Sequence, residues 1–307
     1  MANRVKLGSI ETLIVDLPTI RPHALAMVTM NAQSIVIVRI RDTDGATGIG
    51  EGTTIGGLSY GEESPEGIKL AIDTYIAPLL ANHDLAKVGA TMADIDRHVS
   101  GNRIAKCAVE TALLDLMGQR LGLPISDLIG GGRRRETLPV AWTLASGNTE
   151  RDIAEAEAML SQCRHRIFKL KIGKRPVDED VAHVAAIKRA IGDRGSVRVD
   201  VNQAWDEAAA ERGIAALADA GCELVEQPLP RDLRNATVRL TARAAIPIMA
   251  DESLHGPAEA FDLAASGGAR AFAIKIAQSG GLHAAHDVAM IGAAAGMGLY
   301  GGTMLEA

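Results

Sequence analysis

The chain has 307 residues, 47% of them hydrophobic, with a mean hydropathy of +0.10, enough apolar material for one large core or two moderate ones. Its 32 basic and 38 acidic residues leave a formal charge of −6 spread along the chain. There is no basic stripe of the kind phosphate backbones select, so nucleic acid is not expected as a partner.

The opening residues MANRVKLGSI hold no apolar core, which argues against a secretory signal and predicts a cytoplasmic protein. Cys107, Cys163 and Cys222 are far apart and lack the close pairs of zinc or redox motifs, so they read as buried thiols in a reducing compartment. β-Branched runs over residues 5–15 and 34–41, the second alternating as SIVIVRIR, precede a turn at 42–45 and a return at 47–50, which predicts an antiparallel meander. Gly48-Ile49-Gly50-Glu51-Gly52 has the wrong spacing for dinucleotide binding and reads as turn chemistry. Helical patterns follow over 64–80, 91–99 and 103–121, with a short one near Ser126. Ser64-Pro65-Glu66 supplies a cap, a first-turn proline and an early acid. Residues 1–134 thus predict an α+β domain, closed by the solvated run Arg133-Arg134-Arg135.

From Leu138 onward, short apolar runs alternate with amphipathic helices, the pattern of parallel strands joined by crossovers. Strands are predicted over 138–144, 166–172, 196–201, 222–225, 246–250, 271–276 and 298–303. The helix between the second and third carries Val181, Val184, Ile187 and Ile191 on one stripe, with Asp178, Glu179, Lys188 and Arg189 off it. Residues 288–305 are uncharged and long enough to raise a membrane span, but five glycines argue instead for a buried helix followed by a strand, and no membrane partner is expected. Seven such units over residues 135–307 fit a (β/α) barrel, and because a barrel closes with eight strands, the eighth is missing.

Asp200, Glu226 and Asp251 each end a strand, one strand-plus-helix unit apart. Each alone is commonly a cap or a salt-bridge partner. Barrel strands deliver their C-terminal residues to one mouth, where three acids are explained together by one divalent ion, and all-oxygen ligation favours Mg²⁺ or Mn²⁺ over zinc. In FKLKI, alternation puts Lys169 and Lys171 on one face and Phe168, Leu170 and Ile172 on the other. Two neighbouring ammoniums favour each other's neutral form, so Lys169 is expected to lower the pKa of Lys171 toward a range useful for proton transfer. Asp200 and Asn202 share the inward face with Arg198, and Lys275 ends the strand after Asp251.

The set Lys169-x-Lys171, Asp200-x-Asn202, Glu226, Asp251 and Lys275 resembles the enolase superfamily. Stretches such as DLPTIRPH, TTIGGLSYG, VAWTLASG, VRVDVNQ, MADES and YGGTMLE narrow the resemblance to its muconate-lactonizing branch, from end to end of the chain. The resemblance implies an enolase-type (β/α) barrel under an N-terminal α+β capping domain, with Asp200, Glu226 and Asp251 holding one Mn²⁺ or Mg²⁺ per subunit. It also implies reversible lactonization of cis,cis-muconate, a small dicarboxylate, to muconolactone through an enolate. Lys171 would be the acid that protonates the enolate carbon, Lys169 its modulator and Lys275 the stabiliser on the opposite face, with Asn202 and Glu252 as supports. Ile55 and Tyr60 match a mobile specificity loop. Chloromuconate cycloisomerase, dipeptide epimerase and acylsuccinate-processing relatives share these core residues, and a catalytically silent scaffold is the alternative of another kind. The family pattern continues past TMLE with a last strand bearing a further glutamate, and Ala307 stands where the family has Gly, so a truncated product is expected, forming a homo-oligomer if full-length chain is made.

Overall fold

The computed structural model describes residues 4–25 and 28–306, so Ala307 lies outside the described residues. Three antiparallel strands open the chain, β1 (Leu7–Ala24), β2 (Thr29–Asp42) and β3 (Thr47–Thr53), in the order β1-β2-β3. Alternation in β2 buries Val36, Val38 and Ile40 on one face, and those residues pack in one core with the helices that follow. These helices are α1 (Pro65–Ala71), α2 (Ala77–Leu80), α3 (Val88–His98), α4 (Arg103–Leu121) and α5 (Ile125–Gly130). Between α1 and α2 one widened π-type turn, Ile72–Ile76, carries the chain on without a break. The Ser64 hydroxyl accepts from the Gly67 N–H and so caps α1 as its sequence predicts.

Helix α4 lies directly on β3. A Cβ placed on Gly50 would stand 1.9 Å from the Ala108 carbonyl oxygen, and one on Gly48 would stand 2.1 Å from that of Ala112. The glycines of GIGEG therefore lie inside β3 and serve close backbone approach, not the turn expected from the sequence.

Seven parallel strands follow, in the order β10-β9-β8-β7-β6-β5-β4. They are β4 (Ala141–Leu144), β5 (Ile167–Lys171), β6 (Ser196–Asp200), β7 (Leu224–Glu226), β8 (Ile248–Ala250), β9 (Ala271–Ile274) and β10 (Gly298–Gly301). The connecting helices are α6 (Thr149–Ser161), α7 (Val177–Ile191), α8 (Glu207–Asp219), α9 (Arg234–Arg243), α10 (Pro257–Ser266), α11 (Ile276–Ser279) and α12 (Leu282–Ala294). Among the described residues, β4 and β10 are the two open edges of this curled sheet.

Phe168, Leu170, Val197, Val199 and Val225 are fully buried on the helix side, with Val184, Ile187 and Ile191 of α7 packed in the same cluster. The opposite face of each strand is left to the barrel interior. There Met249, Ala271 and Ala273 form a small separate cluster with Leu224 and Tyr300.

Two further expectations need correction. Cys163 is exposed, because it follows the last turn of α6 in a left-handed conformation (φ 54°), and only Cys107 and Cys222 are buried. Helix α12 is covered on one face rather than enclosed: Val288 is fully buried while Met290 is 48% exposed. No helix among the described residues is long and apolar enough to cross a membrane. The Arg133 to Arg135 run is solvated, as expected.

Candidate active site

Strand register assembles the site. Lys171 pairs with Asp200 across β5 and β6, and Asp200 pairs with Glu226 across β6 and β7, so three charged residues end adjacent strands at one level. Asp251 follows β8 directly, and Lys275 follows β9. Carboxylate oxygens of Asp200, Glu226 and Asp251 all lie within 4.8 Å of one another, and the three residues are at most 1% exposed.

The lysines approach from two sides. Lys171 Nζ donates to Asp200 Oδ2 at 2.5 Å and to Asn202 Oδ1 at 3.2 Å. Lys169 Nζ lies 3.1 Å from Asp200 Oδ2 and 2.5 Å from Glu226 Oε2, the latter an ion pair without the angular geometry of a hydrogen bond. Lys275 Nζ donates to Asp251 Oδ2 at 2.8 Å and to the Tyr60 hydroxyl at 2.6 Å. Glu252 supports Asn202, whose Nδ2 donates to Glu252 Oε1 at 3.0 Å.

The electrostatics are those of buried charges in opposition. Burial alone would lower the Lys169 ammonium, but the charges of Glu226 and Asp200 outweigh it and hold its pKa well above the ordinary lysine value. The nearest groups to the Lys169 ammonium are carboxylates. Burial raises Asp200 less than Lys171 and Lys169 lower it, so it stays ionised. Glu226 is pushed up to about 8 by burial and by the charges of Asp200 and Asp251, and Glu252 likewise to about 8 by burial and by Asp251 and Asp200.

A divalent ion fits the donor set. Both Glu226 oxygens and Asp251 Oδ1 are buried without a hydrogen-bond partner, an arrangement that costs free energy unless something cationic occupies the space between them. The donors are all hard oxygens, as Mg²⁺ and Mn²⁺ require.

The capping domain completes the site. Tyr60 reaches Lys275, placing its ring centroid 4.5 Å from the ammonium, and Ile55 is buried in the core of the cap. Gln33 ties the loop bearing Ile55 to the barrel by donating to the carbonyls of Thr54 at 2.6 Å and Met304 at 3.0 Å. Burial and the charges of Lys171, Arg21 and Lys169 push His23 down to about 4, so a neutral imidazole stands near the lysines at pH 7.

Several residues of the site escaped sequence reasoning. Gln227 follows Glu226 in a left-handed conformation (φ 36°), and its Oε1 accepts from the Asp251 N–H at 3.0 Å and the Ser253 N–H at 3.1 Å. Gln278 holds the Asp251 carbonyl. A Cβ on Gly302 would lie 2.8 Å from Lys275 Cγ, so this glycine makes room for the lysine stem. A strand-end carboxylate followed by glutamine was the available signal for Gln227; nothing in the sequence marks the others. A cavity of about 510 Å³ between cap and barrel is lined by Tyr60, Glu252 and Gln278 but by neither the lysines nor the three clustered acids, so it adjoins the charged centre rather than containing it.

The family description "Mandelate racemase / muconate lactonizing enzyme, N-terminal domain" matches residues 9–130, and "Enolase C-terminal domain-like" matches residues 151–306. The chain belongs to the mandelate racemase / muconate lactonizing enzyme family. Within that family it is 58% identical to muconate cycloisomerase 1-2 of Acinetobacter lwoffii, over 100% of this chain and 79% of the relative. It is 47% identical to a chloromuconate cycloisomerase of a Pseudomonas species, over 98% of this chain and 81% of the relative. The solved muconate lactonizing enzyme of Pseudomonas fluorescens, complexed with muconolactone, superposes with a TM-score of 0.97 at 57% identity, over 99% of this chain and 82% of that one. The enolase-type barrel with its capping domain is thus the family fold, and the acidic cluster could hold a divalent metal of the kind that enolase-superfamily members bind.

Proposed function

We propose that this chain catalyses the reversible cycloisomerization of cis,cis-muconate to muconolactone, with Asp200, Glu226 and Asp251 holding one Mn²⁺ or Mg²⁺ ion. The observation that carries the reading is the cluster of three buried carboxylates, with oxygens of Glu226 and Asp251 left without a hydrogen-bond partner, set between lysines on opposite sides. The 58% identity to a muconate cycloisomerase, against 47% to a chloromuconate cycloisomerase, favours the unchlorinated substrate.

In this reaction one substrate carboxylate oxygen forms a C–O bond to the double bond conjugated with the far carboxylate. The displaced electron pair moves onto that carboxylate as an enolate, and a proton then enters at the adjacent carbon. Lys171 carries that proton, and the reverse reaction returns it to the same nitrogen. Lys275, anchored by Asp251 and Tyr60, faces the developing charge from the other side. Lys169 steadies Asp200 and Glu226, and Ile55 and Tyr60 shape the cap over the substrate. When bound, the divalent ion supplies electrostatic stabilisation of charge on the substrate carboxylate.

The test is loss of the diene absorbance of cis,cis-muconate on incubation with the purified chain and Mn²⁺. Lys171→Ala is expected to reduce turnover by about 10²- to 10⁴-fold, the usual worth of a positioned proton donor. Absence of turnover by the unmodified chain with either ion would overturn the reading.

A further inference from the structure

Gln278 sits one turn after Lys275 in α11 and is 6% exposed. Both ends of its amide are engaged: Nε2 donates to the carbonyls of Asp251 at 2.7 Å and Leu254 at 2.8 Å, while Oε1 accepts from the Tyr60 hydroxyl at 3.0 Å. A backbone carbonyl can only accept, so the NH₂ end must face Asp251 and Leu254, and a flipped amide would set oxygen against oxygen. The amide oxygen is thereby directed at Tyr60, whose single hydroxyl proton is spent on it. Tyr60 Oη is left only lone pairs, and these receive the Lys275 ammonium at 2.6 Å. With Asp251 Oδ2 taking a second proton of that ammonium at 2.8 Å, one donor of Lys275 remains for the substrate.

We infer that Gln278 is a positioning residue of this active site. It fixes the direction of the Tyr60 hydroxyl and the main chain of Asp251, and through them the aim of the Lys275 ammonium. It also couples the seating of a capping-domain side chain to the charge cluster of the barrel. The inference deepens the catalytic reading above and rests on it.

The test is a double-mutant cycle of Gln278→Met and Tyr60→Phe, followed by muconate turnover. Each single variant is expected to lower kcat about tenfold with KM changed less than about threefold. The double variant is expected to fall within about threefold of the worse single one, because both remove the same oriented contact. Independent effects multiplying to about a hundredfold, or a Gln278→Met kcat within twofold of the unmodified chain, would overturn the inference. If Gln278→Met does not fold, Gln278→Glu, which keeps the volume and loses the paired donors, takes its place in the cycle. Should the unmodified chain itself be inactive on muconate, the functional reading fails, and the inference is decided without substrate. With ¹³C at Cζ of the three tyrosines, the Tyr60 resonance, identified by its loss in Tyr60→Phe, is expected to move in the Gln278 variant. An unmoved resonance would overturn the positioning role.

Discussion

Cation binding at this site should release protons at neutral pH, and the count follows from two glutamates. Glu226 and Glu252 are held at about 8 rather than the ordinary 4.5, by burial and by the aspartate charges beside them. In the metal-free chain each is therefore about nine-tenths protonated at pH 7, one pH unit below its midpoint. The unfolded chain loses these protons near 4.5, so the sign of the linkage is fixed. Their contribution to metal-free stability is fully present below that pH and is lost as pH rises through about 8. A divalent ion reverses this by favouring the carboxylate form. Calorimetric titration with Mn²⁺ at pH 7 in two buffers of different ionisation enthalpy should count between about one and two protons released per ion. The affinity should tighten about tenfold per glutamate between pH 7 and 9, where the protons are already gone. Glu226→Gln should remove about one proton from the count and weaken binding besides. No proton release at pH 7, or an unchanged count in Glu226→Gln, would refute the electrostatic account of the cluster.

Three substitutions probe the packing around the site. Gly50→Ala drives a methyl to 1.9 Å from the Ala108 carbonyl and should cost about 3 kcal/mol or more by urea unfolding, the upper range for overpacking. Gly302→Ala meets the Lys275 stem at 2.8 Å, so kcat should fall about tenfold while the urea midpoint barely moves; equal loss of both would assign this glycine to folding alone. The Glu110 carboxylate of α4 accepts from the N–H groups of Leu282 and His283 and from the His283 ring, pinning the start of α12 to the cap. Glu110→Ala leaves those donors unpaired and should cost about 1–3 kcal/mol, read as a lowered thermal midpoint.

Most of the charged centre was legible in the sequence because parallel strands obey two simple rules. Alternation placed Lys169 and Lys171 on one face, and the strand ends placed Asp200, Glu226, Asp251 and Lys275 at one mouth. Boundaries were less legible. Strand β1 runs on to Ala24 through Pro18, because at the edge of its sheet a residue without an N–H can be accommodated, with a register shift after it. The ion pair of Lys169 was not legible, because spacing along one strand shows its neighbour Lys171 but not Glu226, two strands away. Gln33 and Gln278 were invisible for a related reason. An amide has no periodicity and no charge, and its work is defined wholly by groups far off in the chain, such as Met304 for Gln33 and Tyr60 for Gln278.

The same charges explain why the site suits a dianion. With Glu226 and Glu252 protonated, Lys169, Lys171 and Lys275 stand against Asp200 and Asp251, leaving one net positive charge. A divalent ion that displaces both protons leaves the same net charge, now with two ammoniums on one side and one on the other. Occupation of the site thus changes where the positive charge sits more than how much there is. Of the three ammoniums, only that of Lys275 is bonded to the cap among the described residues, through Tyr60, so the cap is wired to one pole of this distribution. A loop substitution at Tyr60 should accordingly change the rate of charge development as well as substrate fit, whereas one at Ile55, buried in the apolar core of the cap, should act through fit alone.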